Sequence, residues 1–282
     1  MNARNQQFQL TVDLRQVKDA VSAVFHTLLL HRSVGKFQYK AESNYQLGSI
    51  GVEEVDCDFV DLTYVRVNSA ELVSAVKSEI DAFFADVSKA AQCGGASSTV
   101  TSSSTPHVTY GKPLLNARIA LEFYQRRKRQ WPLPDDQVPW EVWQLQLDIV
   151  DVRENEYFER MREDVAESLS DVVISTCGAI NRPQYLPKMP TRSELTNVFD
   201  DNFSDCQPYL FRVVRHPLHT EVTRRAKRVR SCPQVAYQRL KNCSKTHCRS
   251  SFEFTSDYFQ RFFRYSHFVA MMLELYSSFG TH

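Results

Sequence analysis

The sequence predicts an α+β domain in which helices pack on one largely antiparallel sheet, and three observations carry that expectation. Apolar residues alternate with polar ones at Phe8, Leu10, Val12 and Leu14, again at Ile119, Leu121 and Phe123, and again at Trp143, Leu145, Leu147 and Ile149, the period of strands with one buried face. Between these lie runs with apolar residues three and four apart, the period of helices. The elements follow as β-α-β-α-β-β-α-β, without the strict alternation that builds a doubly wound parallel sheet.

Taken in order, Phe8 to Leu14 is the first strand. Val17, Val21, Val24, Phe25, Leu28 and Leu29 then mark an amphipathic helix ending near His31. Gly35, Gly48 and Gly51 are the expected turn points of the next stretch. "VEEVDCDFVDLTYVRV" is rich in β-branched and aromatic residues on both faces and is expected to be one central strand. Asn68 followed by Glu71 reads as a capping box for a second helix whose stripe runs from Leu72 to Val87. Residues 93–117, "CGGASSTVTSSSTPHVTYGKPLLNA", are expected to be a disordered Ser/Thr-rich loop. Two strands follow around Ile119–Phe123 and Trp143–Ile149, then a long helix over about 154–181. A short helix at Ser193–Phe199 and a strand beginning at Tyr209 close the pattern.

At 282 residues, 43% apolar and 12% aromatic, the chain is long enough to bury a real core. The formal charge of +1 hides an asymmetry: residues 211–282 carry 13 Lys/Arg against 4 Asp/Glu, and residues 1–210 carry 21 against 29. The acidic front gives no electrostatic reason to expect nucleic acid there. Seven cysteines without regular spacing argue for a reducing compartment rather than a secreted disulfide framework. No stretch of about 18 uncharged apolar residues marks a membrane span. A cytoplasmic location is the expectation.

Motifs of catalysis are missing: there is no dinucleotide fingerprint, P-loop, zincin helix or nucleophile elbow, and glycine totals 8. His26 sits beside the first helix's apolar stripe and reads as a packing histidine; His31 reads as a helix-terminal cation. Asp56 and Asp58, two apart, suit a metal or an acid–base pair, yet no histidine or third ligand lies near them in sequence. The expected role of Asp56, Asp58 and Phe59 is an interaction face. Cys177 and Cys206 lie among apolar residues and are expected in the core. Cys232, Cys243, His247 and Cys248, with Arg224, Arg225, Lys227, Arg228 and Arg230, leave open an alternative in which residues 215–282 bind metal or RNA, although the knuckle spacing is wrong for zinc. No cofactor and no metal site is expected.

The segment "RRKRQWPLPDDQVPWEVW", residues 126–143, holds all three tryptophans of the chain. It joins two strands, so residues 126–139 are expected to form the tip of a hairpin-like excursion, kept out of the sheet by Pro132, Pro134 and Pro139. An indole on a proline-stiffened tip loses little entropy on docking, and tryptophan is a common interface anchor. Trp131, between basic and acidic neighbours, is therefore expected in water, and Trp140 and Trp143 in the core.

The segments "HTLLLHRSVGKFQYK", "VDCDFVDLTYVRV", "LEFYQRRKRQWPLPDD", "VPWEVWQLQL", "YLPKMPTRSELTNVFD" and "QPYLFRV" together resemble the autophagy-related protein 101 family, whose members carry a HORMA domain. The resemblance runs along residues 8–214 and implies a HORMA-like domain over residues 1–214, with residues 215–282 as a basic tail unlike the family. It also implies a non-catalytic scaffold at preautophagosomal structures. Such a scaffold pairs with the HORMA domain of autophagy-related protein 13, supports the unc-51-like kinase complex and recruits downstream factors through a Trp-Pro-Phe finger. Trp131 and Pro132 fall on the first two finger positions, and Leu133 stands where the family has phenylalanine.

Overall fold

The computed structural model describes residues 3–93, 112–130, 135–180 and 186–216. The chain divides into a unit Met1–Val222 and a unit Thr223–His282, and no residue of the second is among those described. In chain order the elements are β1 (Arg4–Asp13), α1 (Val17–His31), β2 (Ser33–Val34), β3 (Phe37–Ala41), β4 (Asn44–Leu47), β5 (Val52–Asp56), β6 (Thr63–Val67), α2 (Ala70–Cys93), β7 (Lys112–Arg127), β8 (Asp136–Asp151), α3 (Asn155–Ile180), α4 (Leu195–Val198), β9 (Gln207–Pro208) and β10 (Phe211–Arg215).

The main sheet runs β1-β8-β7-β10, with β1 parallel to β8 and the other two pairings antiparallel. Three two-stranded sheets, β2-β9, β3-β4 and β5-β6, stand beside it. This is the α+β class expected from the sequence, with an antiparallel-dominated sheet consistent with a HORMA-like fold. The alternation reads directly onto the sheet. Trp143, Leu145, Leu147 and Ile149 of β8 are all buried, and so are Ile119, Leu121 and Phe123 of β7.

Helix α1 lies at the centre of the core and packs on α3, α2 and β6. Its sequence reads as amphipathic, yet residues from Val17 to Leu30 are buried nearly all round, including His26 and Thr27, because a central helix has neighbours on every side. A capping box starts it through the short 3-10 turn Leu14–Gln16. The Asp13 carboxylate accepts from Arg15 N (2.9 Å), and the Gln16 side chain accepts from Asp13 N (3.0 Å). The other Asp13 oxygen accepts from Val152 N (2.9 Å), tying the ends of β1 and β8 together.

Several expectations are corrected by the coordinates. "VEEVDCDFVDLTYVRV" is a hairpin of β5 and β6, closed where Cys57 N donates to Leu62 O (3.0 Å) and Leu62 N to Val60 O (2.8 Å). No glycine or proline announces the reversal; Val60 turns into the core at 1% exposure and the neighbouring backbone is held by α1. The second helix is capped by Ser69 rather than Asn68: Ser69 Oγ accepts from Leu72 N (3.3 Å), and Glu71 instead accepts from Ser204 N (2.7 Å). Cys93 ends α2 and the following strand begins at Lys112, so residues 112–117 of the expected loop belong to β7. Apolar Leu114, Leu115 and Ala117 place them on the core. Residues 94–111 lie outside the described residues.

Glycine also acts elsewhere than expected. The β3-β4 reversal is made by Glu42 and Ser43, whereas Gly35 and Gly48 face each other at the open end. A Cβ on Gly35 would meet Gly48 O at 1.9 Å.

Candidate functional site

The expected hairpin excursion is the pair β7-β8. Its antiparallel register joins Lys112 to Asp151 at one end and Arg127 to Asp136 at the other. Strand β1 joins β8 only from Glu141 onward, and β10 joins β7 only from Phe123 downward. Tyr124 N still donates to Leu210 O (2.9 Å) beside β10, so residues 125–130 and 135–139 extend past both flanking strands as a two-stranded arm. Pro139 was expected to stay out of the sheet, yet it pairs with Tyr124 inside β8. It is tolerated because no second strand needs its missing donor there, and because the register shifts at this point, with Trp140 as the extra residue.

The root of the arm is fixed by buried charge. Glu141, fully buried, receives Nε and Nη2 of Arg32 at 2.7 and 3.1 Å and Nη1 of Arg4 at 3.3 Å. Arg32 Nη2 also donates to Ile180 O (2.8 Å), and Arg4 Nη2 donates to Ala179 O (2.5 Å). The two guanidinium groups thus satisfy carbonyls that the end of α3 leaves open. Trp140 lies against Arg32, Phe123 and Tyr209; Trp143 stacks on Phe8 and lies near Arg4. Trp143 is buried, as expected, whereas Trp140 is half-buried and packs against the edge of the core. Trp131, Pro132 and Leu133, the expected finger, lie outside the described residues.

Sequence reasoning missed this clamp. Glu141 alternates in phase with Trp143 and Leu145 on the core face, and a carboxylate in that phase was the one available signal that a buried cation waits for it.

The second expected site, Asp56, Asp58 and Phe59, does not share a strand face. Asp56 ends β5, where Thr63 Oγ1 donates to it, and Asp58 and Phe59 sit in the reversal. Phe59 N donates to Asp19 (2.6 Å), and Phe59 O accepts from Gln16 (3.0 Å), so α1 holds the reversal in place. Phe59 is 41% exposed, with the carboxylates of Asp56 and Asp58 exposed beside it. Burial pushes the Asp19 carboxyl above its usual range, only partly offset by the Phe59 hydrogen bond.

Titratable groups elsewhere are packed. Burial, with Arg66 nearby, lowers His26 to about 4, and its ring stacks on Tyr64 at 6.0 Å. His31 ends α1, with Nε2 3.4 Å from Cys177 Sγ. Cys177 and Cys206 are in the core, where burial raises their thiols to about 12 and about 11, far from the thiolate a nucleophile needs. A shallow groove of about 340 Å³ runs over Phe37, Tyr39 and Leu195. Of its three charged residues, Lys36 and Asp201 are paired with each other at 3.1 Å, and Arg192 is the third. Among the described residues no three or more His, Cys, Asp or Glu side chains are grouped to hold a metal ion, and no helix is long and apolar enough to cross a membrane. Cys232, Cys243, His247 and Cys248, and the arginines before them, lie outside the described residues.

The chain's similarity to known proteins runs through both sites. The family described as autophagy-related protein 101 matches residues 9–193. Autophagy-related protein 101 of Xenopus tropicalis is 39% identical over 232 residues, covering 81% of this chain and 97% of its own length. The Homo sapiens protein gives the same identity and coverage. Autophagy-related protein 101 of Arabidopsis thaliana is 19% identical over 144 residues, about half of each chain. Since 81% of 282 residues exceeds 214, the alignment with the vertebrate proteins reaches past Val214 wherever it starts. A match of that length and identity leaves one conclusion: the chain belongs to the autophagy-related protein 101 family.

Proposed function

We propose that this protein is a non-catalytic scaffold of autophagy initiation, cytoplasmic and acting at preautophagosomal structures. It pairs with the HORMA domain of autophagy-related protein 13, serves the unc-51-like kinase complex, and recruits downstream factors through the finger Trp131-Pro132-Leu133. Family membership supports the autophagy role. The observation that supports the finger reading is the arm: β7 and β8 continue beyond both flanking strands from a root fixed at Glu141. The finger residues follow directly on this arm in sequence, and tryptophan is a common anchor of protein interfaces.

The pairing face is assigned to the β5-β6 reversal, where exposed Phe59 sits beside Asp56 and Asp58 on a loop held by α1. A single aromatic ringed by carboxylates suits a partner with a shallow apolar pocket and a basic rim.

The test is co-precipitation from cells lacking the native protein. Trp131→Ala is expected to keep the HORMA partner and to lose downstream factors, and Phe59→Asp to do the reverse. Loss of both partners in either variant, together with a lower melting temperature, would show that the residue holds the fold rather than a surface.

A further inference from the structure

The β3-β4 hairpin stands apart from the core it covers. Its strands pair with each other and with no other strand among the described residues, and a lone two-stranded hairpin is marginal in water. None of residues 37–47 is buried. The rings of Phe37, Tyr39 and Tyr45 gather on it with centroids 5.2 to 5.6 Å apart, and Phe37 reaches beyond them to Phe199 at 5.0 Å. At the base, Gly35 and Gly48 come so close that a Cβ on Gly35 would collide with Gly48 O. At the reversal, Glu42 holds the segment 190–193 three ways: its backbone O accepts from Arg192 N (3.0 Å), and its Oε1 accepts from Ser193 N (3.0 Å) and Ser193 Oγ (2.6 Å). Tyr39 adds a bond from its hydroxyl to Pro190 O (3.0 Å). Between base and reversal the packing is incomplete, because the shallow groove is lined by Phe37 and Tyr39 from the hairpin and by Leu195 and Thr196 from the facing segment.

We propose that β3-β4 is a flap, latched at Glu42, that swings on Gly35 and Gly48 and uncovers Phe199. A unit with no buried residue of its own gives up little apolar contact on leaving, so it opens at a smaller free-energy cost than the core unfolds. Two further bonds, Lys36 Nζ to Asp201 Oδ1 (3.1 Å) and Phe37 N to Gln207 Oε1 (2.8 Å), lie beside the hinge, where a swing displaces atoms least. What the flap uncovers leads inward. Phe199 touches Tyr209 at 4.3 Å and Tyr209 touches Trp140 at 5.5 Å, so opening brings water to the outer end of the ring series that packs the root of the arm. The flap does not depend on which partner either proposed site takes.

The experiment is native-state hydrogen exchange of the full-length chain in low concentrations of urea. The amides of residues 37–47 are expected to exchange faster than those of α1, with a urea dependence smaller than that of α1 but above zero, since the opening exposes rings without unfolding the core. Glu42→Ala removes the carboxylate and leaves the rest of the hairpin native; it is expected to speed exchange of residues 37–47 about tenfold and to leave α1 unchanged. Glu42→Gln keeps an acceptor for Ser193 and should fall between the two. Exchange of residues 37–47 at the rate and urea dependence of α1 would overturn the flap, because hairpin and core would then open together. So would a urea dependence of zero, which is fraying of the two strands without release of their ringed face. Equal exchange in the native and Glu42→Ala chains would overturn the latch.

Discussion

Arg32 forks onto Glu141 across the middle of the fold, Nε to Oε2 at 2.7 Å and Nη2 to Oε1 at 3.1 Å, with side chains only 3% and 0% exposed. Neither group can be solvated if the other is removed. Glu141 is also the residue where β1 joins β8, and it faces Phe123, where β10 joins β7. One carboxylate therefore anchors the arm, the N-terminal strand and the end of α3.

Glu141→Ala is expected to cost about 3–5 kcal/mol, because it strands two buried guanidinium groups. Arg153→Ala, which removes a pair with Asp151 whose arginine is 84% exposed, should cost under about 0.5 kcal/mol. Urea unfolding of the two variants measures the contrast; similar costs would mean that Glu141 is hydrated.

His26 gives a pH dependence whose sign is fixed. Its folded value is lowered to about 4 against roughly 6.5 when unfolded, so between these values the unfolded chain binds the extra proton. Stability is full above pH of about 6.5 and falls as pH drops toward 4, by about 3 kcal/mol in all. Asp19, whose carboxyl is raised, titrates with the opposite sign at the low end. The difference between the native chain and His26→Phe isolates the imidazole, and the variant's stability curve is expected to be flatter across this window.

Gly35→Ala puts a methyl group 1.9 Å from Gly48 O, a backbone atom that can move only if the open end of β3-β4 splays. A loss of about 1–3 kcal/mol is expected, with faster exchange of the Gly48 amide, which donates to Lys36 O at 3.0 Å. Gly178→Ala, in α3 with open space around the site, is expected to stabilise by about 0.5–1 kcal/mol. Thermal melts rank the two.

At the proposed finger, replacing Leu133 by the phenylalanine that the family resemblance implies should strengthen the second anchor. Leu133→Phe is expected to tighten recruitment of downstream factors by about 1 kcal/mol, roughly fivefold. Titration of the native and variant chains against a purified factor would read it, and equal affinities would place Leu133 outside the contact.

The long periodic elements were legible in the sequence. Helix α1, helix α3 and the core-facing residues of β7 and β8 fall where spacing puts them, because each buries a stripe set by its own geometry. The β5-β6 reversal was not legible: it carries no glycine or proline, and its shape depends on Asp19 and Gln16 of a different element. Capping by Ser69 rather than Asn68 was missed by one residue, since both side chains suit a helix start.

The family was legible in the resemblance of whole segments, and the α+β class, with its long hairpin and amphipathic stripes, in local period, which reports which face of an element meets water. The packed molecule decided that Glu141 goes inward and that the arm has a fixed root. Its partners Arg32 and Arg4 lie 109 and 137 residues away, and a buried charge is satisfied by whatever the fold brings beside it, which spacing along the chain does not encode.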